Sequence, residues 1–183
     1  TDGSQYMRHN NLHASAWGYI FRRKILLDLR FTPGLLHEDE EFTPLLILRA
    51  EKIYSTNIVA YFYRKRPSSI MHEKNKKHIL KRLDDLEYII MHLNEKAALL
   101  PLNDRNALQR RVAQLTMDYL FNIIKLTRSS KQLDMRIERL KDKGLFPLPD
   151  NSYTKKYTVF RLLSNNKILR RLACRAFQLA DLS

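Results

Sequence analysis

The chain has 183 residues, enough for one ordinary domain or a small core with a helical extension, and 44% hydrophobic with 28% charged residues and only four Gly exclude a fibrous or disordered chain. Lys+Arg 33 against Asp+Glu 19 gives +14, an excess that favours anionic partners such as nucleic acid, acidic lipid or phosphorylated substrates without choosing among them. Cys174 is the only cysteine, so an intrachain disulfide and a thiolate metal cluster are excluded, which points to a reducing, cytoplasmic setting.

The opening TDGSQYMRHNNLHASAW lacks an initiator Met and a signal-peptide pattern, and reads as an excerpt from a longer chain. From Trp17 to about Arg66 short β-like runs surround one helix, and Pro33-Gly34 marks a turn. After HEDEE (37–41), Phe42, Leu45, Leu46 and Leu48 give a helical apolar face. Pro44 allows two starts: Thr43 as cap with Pro44 in the first turn, or Asp39 as cap with a bend at Pro44. Either start puts the carboxylates at the positive end of the helix, which is expected to keep them ionised. The alternation in NIVAYFYRK (57–65), rich in β-branched and aromatic residues, predicts a strand ending in the turn RPSS.

From about Lys74 the period is helical. Ile79, Leu83, Leu86, Ile90 and Leu93 form one stripe, and Leu108, Val112, Leu115 and Tyr119 form another after a break at Pro101, which predicts an antiparallel hairpin. Ser129 with Gln132 has capping-box spacing, Leu133, Ile137 and Leu140 share a face, and Gly144 supplies a stop, so a third helix follows. GLFPLPDNS (144–152) reads as a linker. Beyond it, Lys155, Lys156, Arg161, Lys167, Arg170, Arg171 and Arg175 accompany an apolar face of Leu169, Leu172, Ala173, Ala176 and Ala180, the pattern of a basic amphipathic helix. Such a helix over 155–182 suits the surface of an anionic membrane, or equally a bundle with its arginines in water. No stretch reaches the roughly 18 to 20 apolar residues that span a bilayer, so membrane contact is expected to be peripheral, at the inner face.

The sharpest local feature is HEDEEF (37–42). One of its carboxylates can serve as a general base toward a sugar hydroxyl, or the run can simply complement the helix dipole. HASAWGYIFRRKIL (13–26), LRFTPG (29–34), HEDEEF (37–42) and AYFYRKRPSSIM (60–71) occur in an order that resembles the C-terminal, acceptor-side part of family 2 glycosyltransferases of the GT-A fold, especially bacterial enzymes of surface-polysaccharide synthesis. The resemblance covers about residues 10–75. It implies Asp39 as catalytic base with Glu38 beside it contacting the acceptor, and Trp17, His13 and Ser15 lining the acceptor pocket. It further implies that Arg64, Arg66, Ser68 and Ser69 meet the donor diphosphate. Arg66 stands where many such enzymes carry a metal-binding His, which leaves His72 as a weak metal candidate.

The same resemblance implies a divalent metal, Mg²⁺ or Mn²⁺, in the whole enzyme and none bound by this part alone. No Asp-x-Asp motif or Gly-rich phosphate loop is present, so the chain is expected to be inactive without a nucleotide-binding half. The expected fold is mainly α with a small β portion: a GT-A α/β fragment followed by a helical bundle. Its expected parts are a catalytic-domain remnant (1–73), a hairpin plus third helix (74–146), and a linker with a basic helix (147–183). Expected partners are a nucleotide-sugar donor and a glycan or lipid-linked acceptor. Nucleic acid is not expected, because the positive charge is spread along the chain and HEDEE repels phosphate.

Overall fold

The computed structural model describes residues 1–64 and 75–179. By contacts it divides into two compact units, Thr1–Arg111 and Val112–Ser183. The mainly α class holds, and among the described residues there is no strand.

In the first unit, α1 (Gly3–His9) is a helix that periodicity does not announce. Asp2 caps it, its carboxylate accepting from the Gln5 amide at 2.8 Å, and this Asp-x-x-Gln spacing is the available signal. Gly3 lets α1 approach α2 (Glu38–Leu48), since a Cβ there would lie 1.8 Å from the Ile47 carbonyl oxygen while the Gly3 amide donates to Ala50 O at 2.8 Å. Helix α2 follows neither expected start. Its N-cap is His37, in the left-handed conformation (φ 62°), all four carboxylates lie in the first turn, and Pro44 is interior. Proline cannot donate back to the Glu40 carbonyl, yet Phe42, Thr43, Pro44 and Leu46 are all buried, and that packing holds the helix through the lost bond.

α3 (Lys76–Ala98) is capped by Asn75, which accepts from the Lys77 amide at 2.9 Å. It buries Leu83, Leu86, Ile89, Ile90, Leu93 and Ala97, the expected stripe except that Ile79 is only half-buried. The turn at 99–101 leads into α4 (Leu102–Thr127), within which the unit boundary falls.

The expected strand at 57–65 is corrected. Residues 57–64 are non-helical, unpaired and exposed throughout, with Ile58, Val59 and Phe62 in solvent. Alternation reports a half-buried pleat only where another strand accepts the backbone bonds, and among the described residues none does. The β-like runs after Trp17 likewise form turns and a 3₁₀ turn at Arg23–Ile25.

The second unit holds the rest of α4 with α5 (Ser130–Asp142), α6 (Lys155–Asn165) and α7 (Lys167–Leu179). α5 matches expectation: Ser129 caps it, Leu133, Ile137 and Leu140 are buried, and Gly144 (φ 67°) ends the turn beyond it. Tyr119, Leu120, Ile123 and Ile124 of α4 are also buried, and Arg136 donates to the Tyr119 hydroxyl at 2.8 Å. The expected linker is packed, because Leu145, Phe146 and Leu148 are buried and Tyr157 donates to Pro149 O at 3.0 Å.

The tail is two helices rather than one. Asn165 turns its amide onto Leu148, donating to its carbonyl at 3.0 Å and accepting from its amide at 2.9 Å. Asn166 then caps α7, accepting from the amides of Ile168 at 2.9 Å and Leu169 at 3.1 Å. Asn favours such caps over helix interiors because its side chain competes for backbone bonds.

Candidate functional site: the acidic start of α2

The loop before α2 is fastened by α3. The Leu36 amide donates to Asp85 Oδ2 at 2.8 Å, and Lys81 Nζ reaches both Gly34 O at 3.1 Å and Asp85 Oδ2 at 2.7 Å. Arg82 Nε donates to His37 Nε2 at 3.4 Å, which requires that nitrogen to be unprotonated. Burial, with Arg82 adding to it, pushes the His37 imidazole below its ordinary range, so it is held neutral. These contacts pin the strained left-handed residue from which α2 starts.

The four carboxylates of α2 then have different fates. Glu41, only 3% exposed, accepts from Thr32 Oγ1 at 2.6 Å and has His92 Nδ1 2.9 Å from its other oxygen. Glu40 pairs with the buried Arg111 guanidinium, which also donates to Leu12 O at 2.9 Å. These two carboxylates hold the fold together. Among the described residues neither Glu38 nor Asp39 takes an ion pair: Glu38 is exposed and Asp39 half-buried. Burial pushes the Asp39 carboxyl above its ordinary range, and Glu38 pushes it further, against backbone amides and the nearby His13. The direction is opposite to that expected from the helix's positive end, because desolvation and a like charge outweigh it.

His13, which acts on Asp39, also meets a group of aromatic rings. Trp17, 47% exposed, stacks on Tyr61 at 5.2 Å between ring centroids and meets Tyr63 at 5.3 Å, with His13 edge-on at 6.5 Å. His13 belongs to both groups, since it also acts on Asp39. The Tyr19 hydroxyl, 3.0 Å from Thr43 Oγ1, is raised by burial, and Asp39 adds to the rise. The result is an open aromatic shelf formed by loop residues, reached from Asp39 through His13. Chemically, a carboxylate whose affinity for a proton is raised can accept one from a hydroxyl, and exposed ring faces can hold an apolar ring face beside it.

Of the residues expected at the site, Asp39, Glu38, His13 and Trp17 are thus brought into one neighbourhood. Ser15 is buried in the turn before Trp17, its carbonyl accepting from the Gly18 amide at 2.9 Å. Arg64 is exposed at the end of the extended segment. Arg66, Ser68, Ser69 and His72 lie outside the described residues. Tyr61, Tyr63 and Tyr19 join the site without a motif to single them out, although the concentration of aromatics in 54–63 is a visible signal.

Among the described residues no group of three or more His, Cys, Asp or Glu side chains comes together as metal ligands. An open basic depression lined by Arg23, Lys24, Leu26, Leu27 and Arg30 contains none of the site residues. In comparisons with known protein families, curated proteins and solved structures, the chain matches none.

Proposed function

We propose that this chain is the acceptor-side portion of an inverting glycosyltransferase that moves a sugar from a nucleotide-sugar to an acceptor hydroxyl in polysaccharide or glycan synthesis, acting together with a nucleotide-binding half. The observation that carries the reading is the separation of Asp39 from its neighbours: Glu40 and Glu41 are consumed by Arg111, Thr32 and His92, whereas Asp39 keeps a raised proton affinity beside an exposed aromatic shelf. In this reading the acceptor sugar rests on Trp17 with Tyr61 and Tyr63 near it, and its hydroxyl points to Asp39. As the hydroxyl oxygen forms its bond to the anomeric carbon, Asp39 takes its proton. The bond to the nucleotide diphosphate breaks on the opposite face and its electron pair leaves with the diphosphate, which Arg64, Arg66, Ser68 and Ser69 are placed by the resemblance to meet. A divalent metal, if the nucleotide-binding half binds one, would neutralise that leaving group.

The test is transfer by the enzyme containing this chain, assayed against a panel of nucleotide-sugars. Asp39→Asn is expected to lower transfer at least about a thousandfold with donor binding retained. Normal transfer by the variant overturns the assignment. A second reading, a helical module without catalysis, is favoured by one observation: among the described residues no sheet lies beside Asp39. It predicts that no nucleotide-sugar is bound or turned over by any form of the protein.

A further inference from the structure

Helix α7 packs Cys174 inward and sets Phe177 edge-on to Phe121 at 6.0 Å between ring centroids, yet it leaves an aliphatic strip outward. Ile168, Leu169 and Leu172 are 71%, 45% and 53% exposed, and Ala176, one turn beyond Leu172, is exposed with them. Meanwhile Arg170 is 6% exposed, donates to Ser164 O at 3.3 Å and lies over the Phe146 ring at 5.6 Å. An amphipathic helix packed for its own unit's core would bury the leucines and expose the arginine. On α6 two further aliphatic side chains are exposed, Val159 and Leu162, within one turn of each other, while Tyr157 and Ser164 are buried.

Along one side of the α7 strip runs a basic edge of Lys167, Arg171 and Arg175 at helical spacing, all exposed. Arg171 and Arg175 also line a shallow cleft with Ser130, Cys174 and Gln178. Arg171 shares Asp134 at 3.1 Å, and residues 155–179 contain no acidic residue. From this we infer that the outer faces of α6 and α7 form a docking surface for an anionic phospholipid bilayer. The aliphatic strip enters the headgroup and acyl boundary while the basic edge, with Lys155, meets lipid phosphates.

Two features select this occupant. Long basic side chains beside an aliphatic strip can keep their charges at the headgroups while their stems lie along the apolar layer. A nucleic acid would satisfy the basic edge but leave five aliphatic side chains, Val159, Leu162, Ile168, Leu169 and Leu172, in water. No helix among the described residues is long and apolar enough to cross a membrane, so the contact is one of lying on the surface. The inference is independent of the chemistry proposed for Asp39.

Co-sedimentation of the chain with phosphatidylcholine vesicles, with and without phosphatidylglycerol, tests it. Binding is expected only with the anionic lipid and should fall several-fold from low to high salt. Leu172→Glu should lower the partition coefficient about tenfold or more, and Lys167→Glu with Arg175→Glu should remove the salt-sensitive part. Leu99→Glu, an exposed apolar site at the end of α3, should leave binding unchanged. Thermal midpoints of these variants should match the parent, since every substituted side chain is exposed or partly so. An environment-sensitive dye on Ile168→Cys, made in a Cys174→Ser background so that a single thiol is labelled, should shift to the blue with anionic vesicles. The inference is overturned by equal binding to neutral vesicles, by unchanged binding of Leu172→Glu, or by a dye that reports water throughout. It is also overturned if vesicles are ignored while Leu172→Glu abolishes a dimer, or if an oligonucleotide alone is bound.

Discussion

Helices α5 and α7 are of equal length, 13 residues each, both rich in Lys and Arg, and both amphipathic, yet they use their apolar faces in opposite ways. α5 buries Leu133, Ile137 and Leu140 almost completely, with Arg136 drawn in to the Tyr119 hydroxyl, and leaves Lys131, Arg139 and Lys141 in solvent. α7 buries Cys174 and Arg170 and presents Ile168, Leu169 and Leu172 to solvent. An apolar stripe therefore specifies that a face needs cover without specifying what covers it. In α5 the unit's own core does so, and in α7 it does not.

Truncating one leucine on each helix separates the two faces most directly. Leu140→Ala in α5 is expected to cost about 2–5 kcal/mol in a denaturant titration, the range for a cavity in a packed core. Leu172→Ala in α7 should stay within about 0.5 kcal/mol of the parent in the absence of vesicles. Similar losses for both would mean that α7 packs its leucines after all.

The carboxylates of α2 offer the same contrast on a smaller scale. Arg111→Met is expected to cost about 2–4 kcal/mol, because Glu40 loses this ion pair and Leu12 O this donor, measurable by the same titration. Glu41→Gln should cost about 1–2 kcal/mol, since Thr32 and His92 face an acceptor that is weaker and partly replaced by a donor. Glu38→Gln, at an exposed position, should be near neutral.

Asp39→Asn should go the other way and raise the thermal midpoint slightly, by about 1–3 °C at neutral pH. The sign follows from the raised carboxyl: folding disfavours its ionised form, so the parent carries a penalty that grows as pH rises from the ordinary value of 3.8 through the folded value. Below about pH 3.8, where the carboxyl is protonated in both states, the difference should vanish. A midpoint lowered at neutral pH would place Asp39 with Glu40 and Glu41 as a residue that holds the fold.

Much of this fold is legible in the sequence. The stripes of α3 and α4, the Ser129 cap and the Gly144 stop of α5 depend on local spacing and on groups within one turn of each other, and they appear where the spacing puts them. The start of α2 is less legible, because His37 is held in a left-handed conformation by Arg82 and the loop before it by Asp85, both far away in the chain. Segment 57–64 alternates as a strand does, but alternation cannot supply the neighbouring strand, and the described residues contain none. At the site, HEDEEF identifies which residues matter, but the four carboxylates are chemically near-identical as letters.

Taken alone, the sequence determined the helix stripes, the Ser129 cap, the excess of positive charge and the acidic turn, since each is set by side-chain type at short separation. The tertiary structure alone assigned Glu40 and Glu41 to Arg111, Thr32 and His92 and left Asp39 with a raised proton affinity, linked through His13 to the rings of Trp17, Tyr61 and Tyr63. It also decided that α7 would turn its leucines outward. The physical reason is the same in both cases: burial, and the partner met there, depend on contacts between residues distant in the chain, and a residue's own neighbours in sequence do not encode them.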